Sequence, residues 1–399
     1  MRRLLLFLES ATTVGPVYFD TARRLGFEPI LLAAAPQRYS FADGTTVLDT
    51  ATDDLDNIYF VCRHLEGAGQ VCGLMSTSDY FVLPAAKVAR RRRLPGPDPD
   101  AIALCRDKHA QRQALSRAGV PGPAFRRCIT MTEVACARLE PPVVLKPVDG
   151  SGSVGVRLCR TYAEVEEHAS ELLEASVNER GIPSAPGLLM EEFVEGPEYS
   201  AEVISGRVVA ITGKHLSQPP AFVETGHDVP PMYEAAAVDV IEQAMEQIVS
   251  ALSLGDAPAH IEFRVSAGRI VPIEVNPRVA GGHIATLVAL ATGVDLVEQV
   301  IRYYCGLPVS ISTRAGTPAS VRFQVAARSS VVVAVGGVEE ALRSAGVVQA
   351  SVTRKPGDRI QLHGDFRDRV GYVIAKGATS AEAAQNAECA LARMNLRLE

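Results

Sequence analysis

The feature that most limits how this chain can fold is a strand pair that carries carboxylates within an apolar pattern. Apolar and charged residues alternate over 260–265, and a second, mostly apolar run over 270–275 follows a short turn at 267–268. A period of two predicts a β-hairpin with an apolar and a polar face. The polar face lies either against a ligand or in solvent.

Oxygen ligands for a hard cation would gather on that polar face. If Phe263 pairs with Ile273 on the apolar face, Glu262 lies opposite Glu274, a register that requires a loop of odd length. Asn276 then projects the same way. Such oxygens suit Mg²⁺ bridging nucleotide phosphates, whereas two uncompensated carboxylates at this separation would repel each other. A solvated hairpin face is the alternative.

A basic residue and a glycine pair follow the hairpin. Arg278 comes directly after the predicted ligands, and Gly281-Gly282-His283 precede an apolar helix from about Ile284. The N-terminus of that helix could bind an anion, because its first backbone N–H groups have no partner within the helix.

A single lysine, Lys146, lies in an apolar strand predicted over 142–148, and a second strand is predicted over 153–158. Glycines between them would let backbone N–H groups approach phosphate oxygens, to which the lysine would add a positive charge. The alternative is a tight hairpin with an exposed lysine. Neither a Walker A motif nor a GxGxxG fingerprint is present. The loop residues are Gly150, Ser151, Gly152, Ser153, Val154 and Gly155.

A third segment joins apolar residues to carboxylates. The run over 188–194 could wall an adenine ring, and Glu198 could accept hydrogen bonds from ribose hydroxyls. An ordinary amphipathic strand is the alternative. The residues of interest in the run are Glu191, Glu192, Phe193 and Val194.

Length and composition bound the remaining possibilities. At 399 residues the chain exceeds the usual size of one hydrophobic core. A net charge of −6 argues against a nucleic-acid partner. Eight cysteines without metal spacing predict reduced thiols in the cytoplasm. No apolar run has the length that spans a bilayer, which predicts no membrane partner.

The order of segments predicts mixed α/β and α+β structure. Strand, helix and strand follow one another at 3–8, near 18–25 and at 28–34, which favours an N-terminal parallel sheet. A helix is predicted from Asp107, and the last ninety or so residues have the pattern of a small α+β lobe. Between them lie strands predicted at 198–204 and 207–213, a long polar loop at 214–233 and a helix near 234–252.

Taken in order, these motifs resemble the ATP-grasp superfamily over roughly residues 105–305. The resemblance implies a Rossmann-like N-terminal lobe (1–97), two nucleotide-clasping α+β subdomains (98–185 and 186–306) and a small C-terminal α+β lobe (307–399). It implies that Arg278 and Lys146 are catalytic and that residues 150–155 form a lid. It further implies phosphate-binding lysines at Lys108 and Lys146, an adenine hinge at Glu191 to Val194, a ribose ligand at Glu198, and magnesium ligands at Glu262, Glu274 and Asn276.

The chain looks most like the L-amino acid ligase branch of that superfamily. The resemblance rests on residues 274–278, on 281–283 and on the segment 222–227. Substrate contacts are then implied at Glu224, His227, Arg278, Gly281, Gly282 and His283. A bond from His227 to the backbone is the alternative for that residue.

The resemblance implies an ATP-dependent, ADP-forming ligase that uses Mg²⁺, or Mn²⁺, to convert a small carboxylate to an acyl phosphate and join it to an amine. The resemblance also implies a possible homodimer, as is usual for the family. Two alternatives share the nucleotide motifs: a carboxylase that activates bicarbonate, and a non-catalytic ATP-binding regulator. An NAD-dependent dehydrogenase is disfavoured because the first strand-to-helix turn, Glu9 to Gly15, offers one glycine.

Overall fold

The computed structural model describes residues 2–42, 44–231 and 237–399, and its first lobe is a parallel α/β unit. This N-terminal lobe contains β1 (Arg3–Leu8), α1 (Gly15–Arg24), β2 (Glu28–Ala33), β3 (Thr46–Asp49), α2 (Leu55–Leu65), β4 (Gln70–Met75) and α3 (Val82–Arg91). Its strands are parallel and have the order β3-β2-β1-β4. The apolar runs form its central strands because a parallel sheet is buried on both faces. The predicted α/β lobe is confirmed.

A small antiparallel sheet of order β5-β8-β6-β7 follows. The strand predicted over 153–158 starts later than expected, at Arg157. Gly152, Ser153 and Gly155 have φ values of 65°, 62° and 69°, which extended strands do not adopt. This part of the chain contains α4 (Pro99–Arg106), α5 (Lys108–Arg117), β5 (Phe125–Cys128), α6 (Met131–Ala135), β6 (Val143–Pro147), β7 (Arg157–Cys159), α7 (Tyr162–Glu174) and β8 (Leu188–Glu192).

The remaining strands build a large sheet of eight strands and a three-stranded one. In the large sheet the order is β13-β12-β9-β10-β11-β14-β18-β16, and in the other it is β17-β15-β19. The elements are β9 (Glu198–Ile204), β10 (Arg207–Leu216), β11 (Glu224–Val229), α8 (Ala237–Ala251), β12 (Ala259–Ser266), β13 (Arg269–Asn276), α9 (Ile284–Thr292), α10 (Leu296–Tyr304), β14 (Ala319–Val325), β15 (Ser330–Gly336), α11 (Val338–Leu342), β16 (Val347–Val352), β17 (Arg359–Ile360), β18 (Arg369–Lys376), α12 (Ser380–Leu391) and β19 (Asn395–Leu398).

Half of the described part of the long loop predicted over 214–233 is strand. β10 continues to Leu216, and β11 lies between β10 and β14, which pair with its backbone on both sides. Its polar sequence lacks an apolar alternation, so tertiary pairing decides its conformation. The end of this predicted loop, 232–233, and the start of the predicted helix, 234–236, lie outside the described residues.

Strands from the predicted C-terminal lobe extend the large sheet. β14, β16 and β18 follow β11 in that sheet, so the predicted boundary at 306/307 is crossed by strand pairing. The predicted domain limits at 97/98 and 185/186 also stay predictions.

The large sheet has an apolar face and a polar face. The apolar side chains of Ala201, Ile261 and Phe263 pack against α8, together with residues of α4 and α5. A second core joins α1 of the N-terminal lobe to α9 and α10. No single helix in the part of the chain described here is long and apolar enough to cross a membrane, and α9 and α10 reach that length only together, across a bend of 106°.

A β-bulge corrects the predicted register of the hairpin. The turn has two residues, Ala267 and Gly268, and Phe263 lies opposite Pro272 instead of Ile273. Ile273 is the extra residue that restores the predicted pair of Glu262 with Glu274. Pro272 has no N–H to donate and lies in the edge strand β13, where such a bulge is tolerated.

Helix α5 covers the edge of β13 through one glutamine. Gln111 Nε2 donates to the carbonyl of Val275 at 2.9 Å, and Gln111 Oε1 accepts from the N–H of Val275 at 3.0 Å. The Gln111 side chain is buried. It therefore satisfies an edge-strand peptide that would otherwise be buried without partners.

We expect Gln111→Leu to lower the free energy of unfolding by about 2 kcal/mol or more, because it leaves the buried N–H and C=O of Val275 unpaired. Urea denaturation would measure the loss. Gln247→Leu is the control, since that exposed side chain makes one bond to Ala118 and its loss should change stability by about 0.5 kcal/mol or less. Equal midpoints for the two variants would contradict the prediction.

Candidate active site

One cavity of about 600 Å³ lies where the N-terminal lobe, the small sheet and the large sheet meet. The polar face of the large sheet forms one wall. The loops after β1 and β4 form another, at the carboxyl ends of parallel strands, where open α/β sheets commonly bind ligands. The lid loop, defined as residues 150–155, borders the cavity from the small sheet.

Most of the predicted site residues line this cavity. Six do not: Lys108, Gly150, Val154, Gly155, His227 and His283. Lys108 is buried and donates from Nζ to the carbonyl of Gly150. The predicted residues that line the cavity are Lys146, Ser151, Gly152, Ser153, Glu191, Glu192, Phe193, Val194, Glu198, Glu224, Glu262, Glu274, Asn276, Arg278, Gly281 and Gly282.

The three predicted magnesium ligands share the polar face of β12 and β13. Glu262 pairs with Glu274 across the strands, and Asn276 lies two residues beyond. Their counter-charges are lysines: Lys108 Nζ is 3.2 Å from Glu274 and Lys214 Nζ is 2.9 Å from Glu262. Among the described residues no three His, Cys, Asp or Glu side chains gather closely enough to hold a metal. The oxygen set fits Mg²⁺ that takes further ligands from phosphates.

A buried histidine holds the other oxygen of Glu262. His260 Nε2 is 3.1 Å from Glu262 Oε1, and His260 Nδ1 is 2.7 Å from Glu202. Burial lowers the pKa of His260, but Glu202 and Glu262 raise it more strongly, to about 10. The ring therefore bridges two carboxylates.

Lys146 and Glu191 form a buried ion pair beside the predicted adenine hinge. Their Nζ and Oε2 atoms are 2.5 Å apart, and Arg112 contacts both oxygens of Glu191. Burial raises the pKa of Glu191, but Arg112 and Lys146 lower it to about 2. Arg112 also donates to the carbonyls of Pro272 and Ile273, so one arginine connects the hinge strand to the bulge of β13. The sequence analysis missed Arg112.

The lid loop contacts both neighbouring parts of the chain. Ser151 Oγ donates to Asp79 of the N-terminal lobe at 2.5 Å. Gly152 lies against the ring of Phe366, and a Cβ atom at this glycine would be 2.6 Å from the ring. With φ of 65° as well, only glycine suits this position. The lid loop therefore lies over the cavity.

Asp79 binds the predicted catalytic arginine. Arg278 donates from Nε and Nη2 to the two Asp79 oxygens, both at 2.6 Å, and Arg106 is 3.7 Å from the same carboxylate. Burial raises the pKa of Asp79, but Arg278 and Arg106 hold it well below its usual range. Sequence analysis missed Asp79, although its position just after β4 is the signal that could have found it.

The predicted substrate residues meet near the start of α9. Glu224 borders the cavity and is 3.0 Å from Arg369, while its distance to His227 Nε2 is 3.6 Å. His227 is fully buried, and among the described residues none lies within hydrogen-bond distance of either ring nitrogen, so the bond to backbone considered above is absent there. A Cβ atom at Gly282 would be 2.7 Å from His227 Nε2. The imidazole therefore lies directly beneath a backbone segment that lines the cavity.

The two histidines of this cluster are neutral at pH 7. Burial lowers the pKa of His227 despite the nearby carboxylate of Glu224. Burial, with Arg369 and His227, lowers the pKa of His283 to about 4. His283 packs on Tyr372 with ring centroids 4.0 Å apart. It occupies the N-cap position of α9 without capping through its side chain.

A buried lysine was not among the predicted site residues. Lys214 lines the cavity, and its side chain is 2% exposed. Its Nζ is 3.0 Å from Glu198, which also accepts from Arg264 at 3.0 Å. Lys214 was predicted to lie in a loop, just after a strand that was expected to end at 213. Because it lies in β10, the alternation of side chains along that strand directs it to the cavity.

Comparison with known proteins identifies two domains of this chain and several relatives. Residues 139–287 match the ATP-grasp domain, and residues 322–399 match the L-amino acid ligase C-terminal domain 2. Uncharacterized protein y4rH of Sinorhizobium fredii is 38% identical over 96% of this chain and 80% of its own length. Alanine–anticapsin ligase of Bacillus amyloliquefaciens is 27% identical over 59% of this chain and 54% of its own length.

Two further comparisons concern the fold and another class of relative. The crystal structure of an L-amino acid ligase from Bacillus licheniformis has a TM-score of 0.85 and 21% identity, covering 100% of this chain and 99% of that one, which shows a shared fold. Biotin carboxylase of Haemophilus influenzae is 27% identical over 54% of this chain and 49% of its own length. The chain belongs to the ATP-grasp family of ligases and carries the C-terminal domain of L-amino acid ligases.

Proposed function

We propose that this enzyme activates the carboxylate of an amino acid with ATP and joins it to the amine of a second small molecule, releasing ADP and phosphate. One observation carries the proposal. The polar face of the large sheet, the basic residues Lys146 and Arg278, and the buried unpaired imidazole of His227 converge on a single cavity or its wall. Such a cavity offers contacts for a nucleotide, a metal ion and a carboxylate together.

In the proposed reaction a carboxylate oxygen of the substrate attacks the γ-phosphorus of ATP and the bond to ADP breaks. The amine nitrogen then attacks the acyl carbon, and phosphate leaves as the nitrogen loses a proton. Lys108, Lys146 and Arg278 would offset the negative charge that develops on the phosphoryl group. Bound Mg²⁺, or Mn²⁺, on Glu262, Glu274 and Asn276 would neutralise phosphate charge.

We propose that the lid loop excludes water from the acyl phosphate. Its contacts to Asp79 and to Phe366 hold it over the cavity, and its glycines permit it to open. Arg278 shares Asp79 with Ser151, so the arginine and the lid are held by the same carboxylate. Closure would therefore bring the predicted catalytic arginine and the lid to the cavity together.

The carboxylate substrate would lie at the start of α9. Unpaired backbone N–H groups of a helix N-terminus favour an anion, and His227 offers a ring nitrogen next to Gly282. Glu224, which lines the cavity nearby, would suit the ammonium group of an amino acid. The similarity to alanine–anticapsin ligase supports an amino acid as one substrate.

The proposal includes a cytoplasmic location, because all eight cysteines are free. The proposed partners of the enzyme are small molecules, and its assembly as a homodimer remains a prediction.

A bicarbonate-dependent carboxylase is the second candidate, favoured by the similarity to biotin carboxylase. ADP release by the purified protein would separate the two candidates, with ATP, Mg²⁺ and amino acids supplied singly and in pairs, with and without bicarbonate. Release stimulated by amino acids, with an amide product found by mass, would support the ligase. Release that requires bicarbonate would support the carboxylase. Nucleotide binding with no release in any mixture would favour a regulator.

We expect Glu274→Gln and Arg278→Ala each to lower kcat by about 100-fold or more, because the first weakens binding of the metal ion and the second removes a positive charge that would offset that of the phosphoryl group. Steady-state ADP release would measure this, and circular dichroism would show an intact fold. Arg343→Ala, at an exposed surface ion pair, is the control and should retain wild-type turnover. Near-normal ADP release by either site variant would remove that residue from the mechanism.

We expect His227→Leu to raise the KM for the amino acid about 10-fold or more, because the ring supports the backbone at Gly282, which lines the cavity. Thermal stability should stay the same or rise, since two unpaired buried nitrogens are removed. Steady-state kinetics and a melting curve test both statements. A lower melting temperature with an unchanged KM would indicate a purely structural histidine.

A further inference from the structure

We propose that Lys214 is a positioning residue that holds the predicted ribose ligand, metal ligand and substrate ligand in one arrangement. The proposal rests on the proposed function for the roles of these three carboxylates. The Lys214 Nζ atom is 3.0 Å from Glu198, 2.9 Å from Glu262 and 3.2 Å from Glu224. One buried ammonium group therefore contacts all three carboxylates.

The strand order explains how one lysine reaches them. Lys214 pairs with Glu198 across β10 and β9, and Glu262 pairs with Ser200 on the next strand. Paired residues point to the same face of a sheet, and the small Ser200 side chain leaves room for the lysine stem. The ammonium group can therefore extend over β9 to Glu262.

A bulge turns the third carboxylate to the same face. His215 pairs with Gly226, but Leu216 pairs with Glu224, so Thr225 is an extra residue in β11. If residues 224–227 alternated regularly with no bulge, Glu224 would point to the opposite face from His227. Bulges beside ligand sites commonly redirect a side chain in this way.

Each carboxylate also has a cationic partner of its own. Arg264 is 3.0 Å from Glu198, and Arg369 is 3.0 Å from Glu224. The ring of His260 is 3.1 Å from Glu262. Each carboxylate therefore keeps a contact of its own when Lys214 is replaced.

What Lys214 adds is the connection between the three ion pairs. The carboxylates repel one another, and their separate partners, two on β12 and one on β18, would let them move apart independently. A shared ammonium group fixes their separation. Loss of the lysine should therefore disturb nucleotide, metal and substrate binding together while the fold survives.

The test compares Lys214→Met with Arg322→Met. Arg322 is a buried arginine on β14 of the same sheet, paired with Asp228 and Glu388 outside the cavity. Three constants are measured: the Kd of ADP without Mg²⁺ by calorimetry, the Mg²⁺ concentration that half-saturates its effect on ADP binding, and the KM of the amino acid giving the most ADP release. Glu224→Gln is included as a variant that should change only the last constant.

We expect Lys214→Met to shift all three constants by about tenfold or more, and Arg322→Met to shift them by less than about twofold. A shift of one constant, or of none, would overturn the proposal. If wild-type protein releases no ADP with any amino acid, the proposed function fails, and the two binding constants decide the role of Lys214. If Lys214→Met does not fold, Lys214→Gln is measured against the same criteria.

Discussion

Carboxylates of the small and large sheets that line the cavity are stable only because cations from several parts of the chain reach them. Glu191 is neutralised by Arg112 and Lys146, and Glu274 by Lys108 of α5. Isolated charges in such an environment would be costly enough to neutralise themselves. The packing of the small sheet and α5 against the large sheet therefore depends on charge compensation as well as on apolar contact. The same cations are available to a polyanionic nucleotide.

The N-terminal lobe joins this network through one residue. Asp79 receives both donors of Arg278 and the hydroxyl of Ser151, so groups from three parts of the chain meet at one carboxylate. The shared core of α1 with α9 and α10 holds that lobe close enough for the contact. The parallel sheet therefore contributes to the cavity without supplying any residue of the nucleotide motifs.

Local pattern was enough to predict that Glu262, Glu274 and Asn276 share one face, because alternation along adjacent strands decides it. The local pattern did not predict how the two strands reach that register. An odd loop was expected, whereas the turn has two residues and Ile273 supplies the odd one. The predicted pairing of Phe263 with Ile273 was therefore wrong although its consequence for the carboxylates was right.

Contacts between distant residues lay beyond any local pattern. Asp79 and Arg278 are separated by 199 positions, and Arg112 and Glu191 by 79. Lys214 was hidden for a different reason, because β11 has no apolar alternation and its segment was taken as a loop. Pairing with strands on both sides makes that segment extended. Only the assembled sheet reveals which side chains a strand of this kind presents.

The two bulges have a consequence for how relatives of this chain should be compared. Thr225 and Ile273 are each the extra residue of a bulge, and so they set the register of β11 and β13. If either strand ran regularly through the same number of residues, every carboxylate would stay in the sequence but Glu224 or Glu274 would be out of phase with the cavity. Two chains with the same acidic residues could then differ in whether those residues meet. The number of residues between these acidic positions is therefore as informative about this site as the identity of the residues.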